Sequence, residues 1–308
     1  MSANDVRQLD GILAVWKPAG WTSHDVVAKV RRITRTKRIG HAGTLDPQVT
    51  GVLPLCIGRA TRVVEYMQEL PKAYEAVLQL GIATDTEDMT GTVVEQADAV
   101  SVAEEEVRQT IARFVGEIEQ VPPMYSAVKV DGKRLYELAR EGKTVERKSR
   151  KVTIYAIDVR GIELDCPKPR IRLAVTCSKG TYIRTLCVDI GRALGVPAAM
   201  AELTRTLSAG FRQEDCLTLE QIEALQASGA LADKLLPAER ALEHLPRADL
   251  DERNADKALK GQKLSLAAAA LPASGDGKLM RFYGAQGFIG LFEADLELRA
   301  WRPVKVFN

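Results

Sequence analysis

Hydrophobic positions alternate between two periods along this chain, and each period predicts a different element. Residues 12–16 (ILAVW) form an unbroken apolar run closed by Lys17-Pro18-Ala19-Gly20, which predicts a short strand and a turn. Ser23 then predicts a helix cap, with Asp25 in the first turn and Val26, Val30 and Ile33 on one face. Residues 53–57 predict a buried strand, 60–67 a helix, and 73–80 an alternating strand. Ser101 and Glu104 have capping-box spacing ahead of Val107, Ile111 and Phe114. Residues 125–130 predict a strand, Asp131-Gly132 a turn and 134–140 a short helix, with further strands at 152–159 and 171–176. A helix is expected over 182–194, stopped by Gly195 and Pro197.

This order lacks the regular strand–helix–strand beat of a doubly wound parallel sheet, so the class predicted is α+β with a large, mostly antiparallel sheet. Pro237 and Pro246 lead into a tail of different character, with an Ala-rich stretch and short Gly-punctuated apolar runs at 279–283 and 287–292. Such runs suit a small β-barrel module. No internal repeat is visible.

Composition narrows the function classes. The chain has 308 residues, 46% hydrophobic and 27% charged, as in a soluble globular protein of one large domain plus a smaller one, or of two. No apolar run nears the ~18 residues that cross a bilayer, and the first residues carry no basic segment followed by an apolar core, so neither a membrane span nor a secretory signal is expected. The five cysteines show no CxxC spacing and the three histidines are far apart. Reduced thiols, a cytoplasmic location and no metal site are the expectation. A net charge of only +2 means that any nucleic-acid binding must come from local clusters.

One such cluster is KVRRITRTKR, residues 29–38, in which Lys29, Arg31, Arg32, Arg35, Lys37 and Arg38 stand without an acid. On a helix its apolar face packs inward and the cations face out. A solvated helix face normally mixes both signs, so the pattern favours nucleic acid. RKSRK (147–151) is weaker, since Glu141 and Glu146 adjoin it.

A second signal is the single carboxylate of residues 38–62, Asp46, set among Arg38, His41, Arg59 and Arg62. Asp-Pro commonly marks a turn in which the acid bonds nearby backbone N–H groups. A nucleophilic Asp would instead be held ionised and aimed by a cation, with Gly40 and Gly43 letting the backbone bend around a ligand. Pattern alone leaves both open, with the structural turn ahead. A third signal is Lys179-Gly180-Thr181, a turn opening a helix with Tyr182 and Arg184 near its start; Arg184 could pair a carboxylate or phosphate, and Tyr182 could stack on a base. No GxxxxGK[ST] phosphate loop and no strand–GxGxxG–helix motif occurs, which argues against an NTPase, a dinucleotide enzyme or a methyl-donor enzyme of the usual kind.

GHAGTLDPQVTGVLPLCIGRATR, beginning at Gly40, closely resembles the signature of the TruB family of tRNA pseudouridine synthases. KPAGWTSHDVV (17–27), KAYEAVLQLGIATDTEDMTG (72–91), PPMYSAVKVDGKRLYELAREG (122–142), SKGTYIRTLCVDIG (178–191) and LTRTLSAGF (203–211) resemble further family elements in the same order, so the likeness spans about residues 11–211. Thr204 departs from it, standing where the family has Arg, and no RNA contact is assigned there. The tail resembles a PUA RNA-binding module loosely.

The resemblance implies a pseudouridine synthase fold: a large mixed sheet flanked by helices over 1–245, followed by a PUA-like module over 246–308. It implies isomerisation of uridine 55 in the tRNA T-loop, with Asp46 as nucleophile. Whether Asp46 attacks the ribose C1′, attacks C6 of the base or takes a ribose proton stays open. It further implies that Arg184 pairs with Asp46, that Tyr74 stacks on the target base, that His41 fills the space the flipped base leaves, and that Tyr182 and Leu203 line the pocket. Lys17 and the 29–38 cations are expected to contact RNA. No cofactor is implied, since isomerisation needs neither redox change nor donor. The T-arm of tRNA is the partner, no obligate protein partner is implied, and a monomer is expected.

Overall fold

In the computed structural model, which describes residues 9–130, 132–271 and 279–307, the apolar runs are gathered into a nine-stranded and a five-stranded sheet. The larger sheet runs in the order Gly11–Lys17, Thr50–Ile57, Ala198–Ser208, Lys72–Leu80, Arg170–Cys177, Arg150–Glu163 and Gly116–Gln120. Ile39–His41 and Phe211–Arg212 are short additions to Thr50–Ile57 and Ala198–Ser208. Every pairing is antiparallel except that of Thr50–Ile57 with Ala198–Ser208, where Thr204 lies opposite Thr50 and Arg205 opposite Gly51. The α+β class with a mixed, mostly antiparallel sheet is therefore observed.

Alternation explains the central strand. Tyr74, Ala76, Leu78 and Leu80 of Lys72–Leu80 turn to one face, as do Ile171, Leu173, Val175 and Cys177 of its neighbour. Onto that face packs the helix Ile183–Ala193 through Ile183, Leu186, Cys187 and Ile190. A second core forms where Val26, Val27 and Val30 of the helix Ser23–Thr34 cover Leu13, Val15, Leu53 and Leu55. The two helices thus arrive at neighbouring parts of one sheet.

Several local expectations shift. Thr22, not Ser23, caps the first helix: its hydroxyl accepts from Asp25 N at 3.0 Å while Asp25 accepts from Thr22 N at 2.9 Å. The Ser101 box does not form; the helix Glu104–Ala112 has Ala103 as its cap position and relies on Glu104, Glu105 and Glu106 in its first turn, which complement the helix dipole. Of residues 125–130 only Lys129–Val130 pair as a strand, with Lys133–Arg134, because the chain before them folds into turns. The helix expected over 60–67 starts as 3₁₀ at Gly58–Val63 and becomes α only over Val64–Glu69. Asp131 of the expected turn lies outside the described residues.

The smaller sheet belongs to the tail, in the order Arg247–Asp249, Leu279–Gly284, Gly287–Asp295, Ala300–Val306 and Leu264–Ser265. One face holds its own core, in which Phe282 stacks on Phe292 at 4.7 Å and meets Trp301 edge-on at 5.2 Å. Residues on its other side, Leu279, Phe288, Leu291 and Phe307, pack against the group containing Ala60, Val63, Met67 and Leu242. Lys305 adds an ammonium bond to Arg62 O at 2.6 Å and an ion pair with Glu65.

Candidate active site

The chain around Asp46 is held by its backbone. Ser23, buried at the start of the first helix, exchanges hydrogen bonds with Leu45: its hydroxyl accepts from Leu45 N at 2.9 Å and donates to Leu45 O at 3.3 Å. Pro47 O accepts from Gly20 N and from the Lys17 ammonium, both at 2.9 Å. The turn itself is closed by Val49 N donating to Asp46 O at 3.1 Å. No described backbone N–H is bonded to the Asp46 carboxylate. A structural Asp-turn acid would spend its oxygens on such groups. This one is directed elsewhere.

Its partner is Arg184, whose Nε lies 3.0 Å from Asp46 Oδ2. Arg184 occupies the first turn of the helix Ile183–Ala193, and its side chain is only 5% exposed. Its remaining nitrogens are fixed by backbone carbonyls, Nη1 to Thr86 O at 3.0 Å and Nη2 to Tyr125 O at 2.8 Å. A planar guanidinium bonded on two sides has one orientation left for the third. The Asp46 side chain keeps 42% of its surface open toward the cavity it lines. The walls are nevertheless dense enough for desolvation to push the carboxyl above the usual carboxylate range, against the opposing pull of Arg184. A neighbouring cation alone predicts a shift downward; burial reverses it.

Asp46 and Arg184 share a cavity of about 290 Å³ with Tyr74, Tyr182 and Leu203. Tyr74 enters from the central strand and is 8% exposed; burial pushes its phenol up, and the nearby Arg205 works against that shift. Tyr182 precedes the helix of Arg184, with its N–H donating to Gln120 Oε1 at 3.0 Å and its carbonyl accepting from Gln120 Nε2 at 3.2 Å. His41 is not part of this lining. It sits on Ile39–His41, just ahead of the Asp46 loop, edge-on to His24 at 5.6 Å. Burial, then His24, holds its pKa below the usual imidazole value. A second cavity, about 630 Å³, also borders Asp46, among residues 47–50, 88–90 and 200–204.

The basic run divides. Lys29 and Arg31 to Arg32 lie on the helix, which ends at Thr34; Arg35 is its left-handed cap, and Lys37 and Arg38 follow in the connection to the next strand. The expectation of one continuous helical face is corrected on this point. Arg31, Arg32, Arg35, Lys37 and Arg38 are exposed. Lys29 pairs with Glu223, Arg31 donates to Ile39 O at 2.8 Å and Arg38 to Thr61 Oγ1 at 2.7 Å.

Lys17 departs furthest from expectation. It is 0% exposed, its ammonium donating to Pro18 O, Trp21 O and Pro47 O at 2.9, 2.6 and 2.9 Å. A group so enclosed is corrected from a surface RNA contact to a brace beneath the Asp46 turn. Burial brings its pKa down to about 8. Two cavity residues escape the sequence reading: Lys72, buried, with its pKa also brought down by burial to about 8, and Arg205. The signal that could have found them is a cation inside a strand pattern otherwise buried on that face. Thr204 bonds Thr50 through the two hydroxyls at 2.9 Å. Among the described residues no group of His, Cys, Asp and Glu could hold a metal ion, and no helix is long and apolar enough to cross a membrane.

Comparison with known proteins bears on the same residues. The model of the TruB family pseudouridylate synthase N-terminal domain matches residues 31–183, and that of the tRNA pseudouridylate synthase B C-terminal domain matches 184–243. A tRNA pseudouridine synthase B of Bacillus licheniformis is 51% identical over 257 residues, 83% of each chain. One of Geobacillus kaustophilus is 47% identical over 276 residues, 89% of this chain and 97% of the relative. Among solved structures, a chain in the crystal structure of a Cbf5-Nop10-Gar1 complex superposes with a TM-score of 0.75 at 29% identity, covering 99% of this chain and 87% of the other. A chain of an H/ACA RNP bound to a substrate RNA containing 2′-deoxyuridine gives 0.74 at 26% identity, covering 100% and 92%. With two family models covering residues 31–243 and relatives near half identity along most of its length, this chain belongs to the TruB family of pseudouridine synthases.

Proposed function

We propose that the chain converts uridine 55 in the T-loop of tRNA to pseudouridine, with Asp46 as the nucleophile. The observation that carries this is the Asp46–Arg184 pair: a carboxylate free of local backbone bonds, facing a nucleotide-sized cavity and aimed by a guanidinium that is itself fixed on two carbonyls. In the reaction the N1–C1′ bond of the nucleoside breaks and a C5–C1′ bond forms; C5 loses a proton and N1 gains one. Composition and oxidation state are unchanged, so the proposal calls for no cofactor.

The uridine must leave its stack to reach Asp46, because a base inside a loop cannot be approached at the sugar from all sides. Tyr74 offers an aromatic wall for the extruded base, and its phenolic oxygen is the group proposed to take the C5 proton. That step is coupled to bond formation and to passing on the phenol's own proton, since a raised pKa keeps the hydroxyl protonated and a neutral phenol oxygen is a weak base. Leu203 and Tyr182 line the cavity and are proposed to exclude water once the base is bound, which strengthens every charge inside it. His41, on Ile39–His41 and with its pKa lowered by burial, is proposed to occupy the gap the base leaves. The exposed cations of 29–38 are proposed to meet RNA phosphates, and residues 246–308 to form an accessory RNA-binding module. A monomer working in the cytoplasm without an obligate protein partner completes the proposal.

The test is direct. Purified protein is incubated with an unmodified tRNA transcript and the product is mapped for pseudouridine. Conversion at position 55 alone supports the proposal. Conversion only when guide RNA and partner proteins are added would move the chain to a guided mode of action, and conversion at another position would replace the substrate.

A further inference from the structure

Arg205 is 1% exposed and lies in the strand Ala198–Ser208 at the back of the cavity. An ion in such a place is ordinarily matched by an opposite charge. Arg205 takes part in none of the ion pairs among the described residues; its guanidinium donates to three backbone carbonyls, and its side chain also bonds that of Tyr74. Nε donates to Val52 O at 2.8 Å, Nη2 to Gly43 O at 3.1 Å and Nη1 to Thr44 O at 3.4 Å. Those acceptors lie on both sides of Asp46: two on the loop that leads into it, one on the strand that leaves it.

The backbone of Arg205 is equally constrained. Opposite it in the parallel pairing is Gly51, whose φ is +117° and where a Cβ would sit 2.2 Å from Arg205 O, so no side chain fits. On its other side Arg205 is registered opposite Tyr74. One residue therefore touches the chain before the nucleophile, the chain after it and the strand that carries the aromatic wall.

We infer that Arg205 is a positioning residue for the isomerisation, a clamp that holds the Asp46 turn at a set distance from Tyr74. This rests on the proposal that Asp46 is the nucleophile. Arg184 orients the Asp46 side chain from the helix side; Arg205 fixes its backbone from the sheet side. A flat guanidinium can serve three carbonyls in one plane, whereas an ammonium on a flexible stem cannot hold that geometry.

The test compares Arg205→Lys and Arg205→Met with the parent and with Asp46→Asn, recording kcat, KM and the folded fraction by circular dichroism. Misplacing a reacting group by about an ångström costs about 10²-fold in rate. The expected result is a kcat per folded molecule about 10²-fold lower in Arg205→Met, with KM within about threefold of the parent, and partial recovery in Arg205→Lys. Added guanidinium ion should raise kcat of a small-residue variant, Arg205→Ala, through the cavity the side chain lines. If Arg205→Met does not fold, the Lys variant and the guanidinium response decide. Unchanged kcat per folded Arg205→Lys together with no guanidinium response overturns the inference, because a purely structural brace would change the folded fraction alone. If Asp46→Asn remains active, the nucleophile proposal fails first, and that outcome is separable because it does not involve Arg205.

Discussion

Two sets of cations in this molecule look alike in the sequence and differ in what surrounds them. Lys17, Lys72, Arg184 and Arg205 are buried, and their donors are directed at backbone carbonyls. Arg31, Arg32, Arg35, Lys37 and Arg38 are exposed at the end of the first helix and just beyond it. The buried set gives up hydration in return for fixed geometry, and only Arg184 meets a carboxylate. The exposed set keeps its hydration and its counterions, which a polyanion can displace. Positive charge thus stands in two settings here: inside, Lys17, Arg184 and Arg205 bond the Asp46 turn or its carboxylate, and outside lies the set proposed to meet phosphate.

The largest expected effect lies at the acid that Arg184 pairs with and Lys17 underlies. Asp46→Asn preserves size and can still accept a hydrogen bond from Arg184, but a neutral amide cannot supply the attacking oxygen. The variant is expected to bind tRNA like the parent and to form no pseudouridine detectable by mapping of the product. Turnover within tenfold of the parent would return Asp46 to the role of a turn residue.

A smaller effect is expected from the exposed set. If about four of its cations meet phosphates, log K should fall against log salt with a slope on the order of −3. The pair Arg32→Glu and Arg35→Glu should weaken tRNA binding and make that slope shallower by about 1.5, with melting close to the parent because both side chains are exposed. Filter binding across a salt series checks this. A slope equal to that of the parent removes this surface from the interface.

The smallest effect is in pH. Burial raises the Asp46 pKa, so kcat should decline with unit slope as pH falls through that raised value, at a higher pH than an exposed Asp would give. The folded state also holds the Asp46 proton more tightly than the unfolded chain does. This group's contribution to stability is therefore complete below the unfolded pKa and is lost as pH rises through the folded one. Asp46→Asn escapes that loss, so it should melt at or slightly above the parent near neutral pH, and the gap should close in acid. Thermal melts of both proteins across pH provide the check.

Much of the fold could be read from residue order. The strands around Leu53, Tyr74 and Leu173 and the helix of Arg184 follow from period and stop signals, and these signals are local. The errors were local too, and small: the cap moved from Ser23 to Thr22 because the Ser23 hydroxyl is engaged by Leu45, a partner 22 positions away. The expected strand over 125–130 shrank because Tyr125 gives its carbonyl to Arg184 rather than to a neighbouring strand.

Residue order alone carries most of the elements, the cluster of like charges at 29–38 and, through the motif around Asp46, the family. Tertiary structure alone decided which cations are exposed, which sign the Asp46 shift takes, and how Arg205 comes to stand beside Gly43 and Gly51. Period and motif report on neighbours within a turn or a strand. The surroundings of an ionisable group are assembled from segments more than a hundred residues apart, as when Arg205 meets Val52 or Arg184 meets Asp46. Burial and hydrogen-bond supply, which set the role of a charge, exist only once those segments have met.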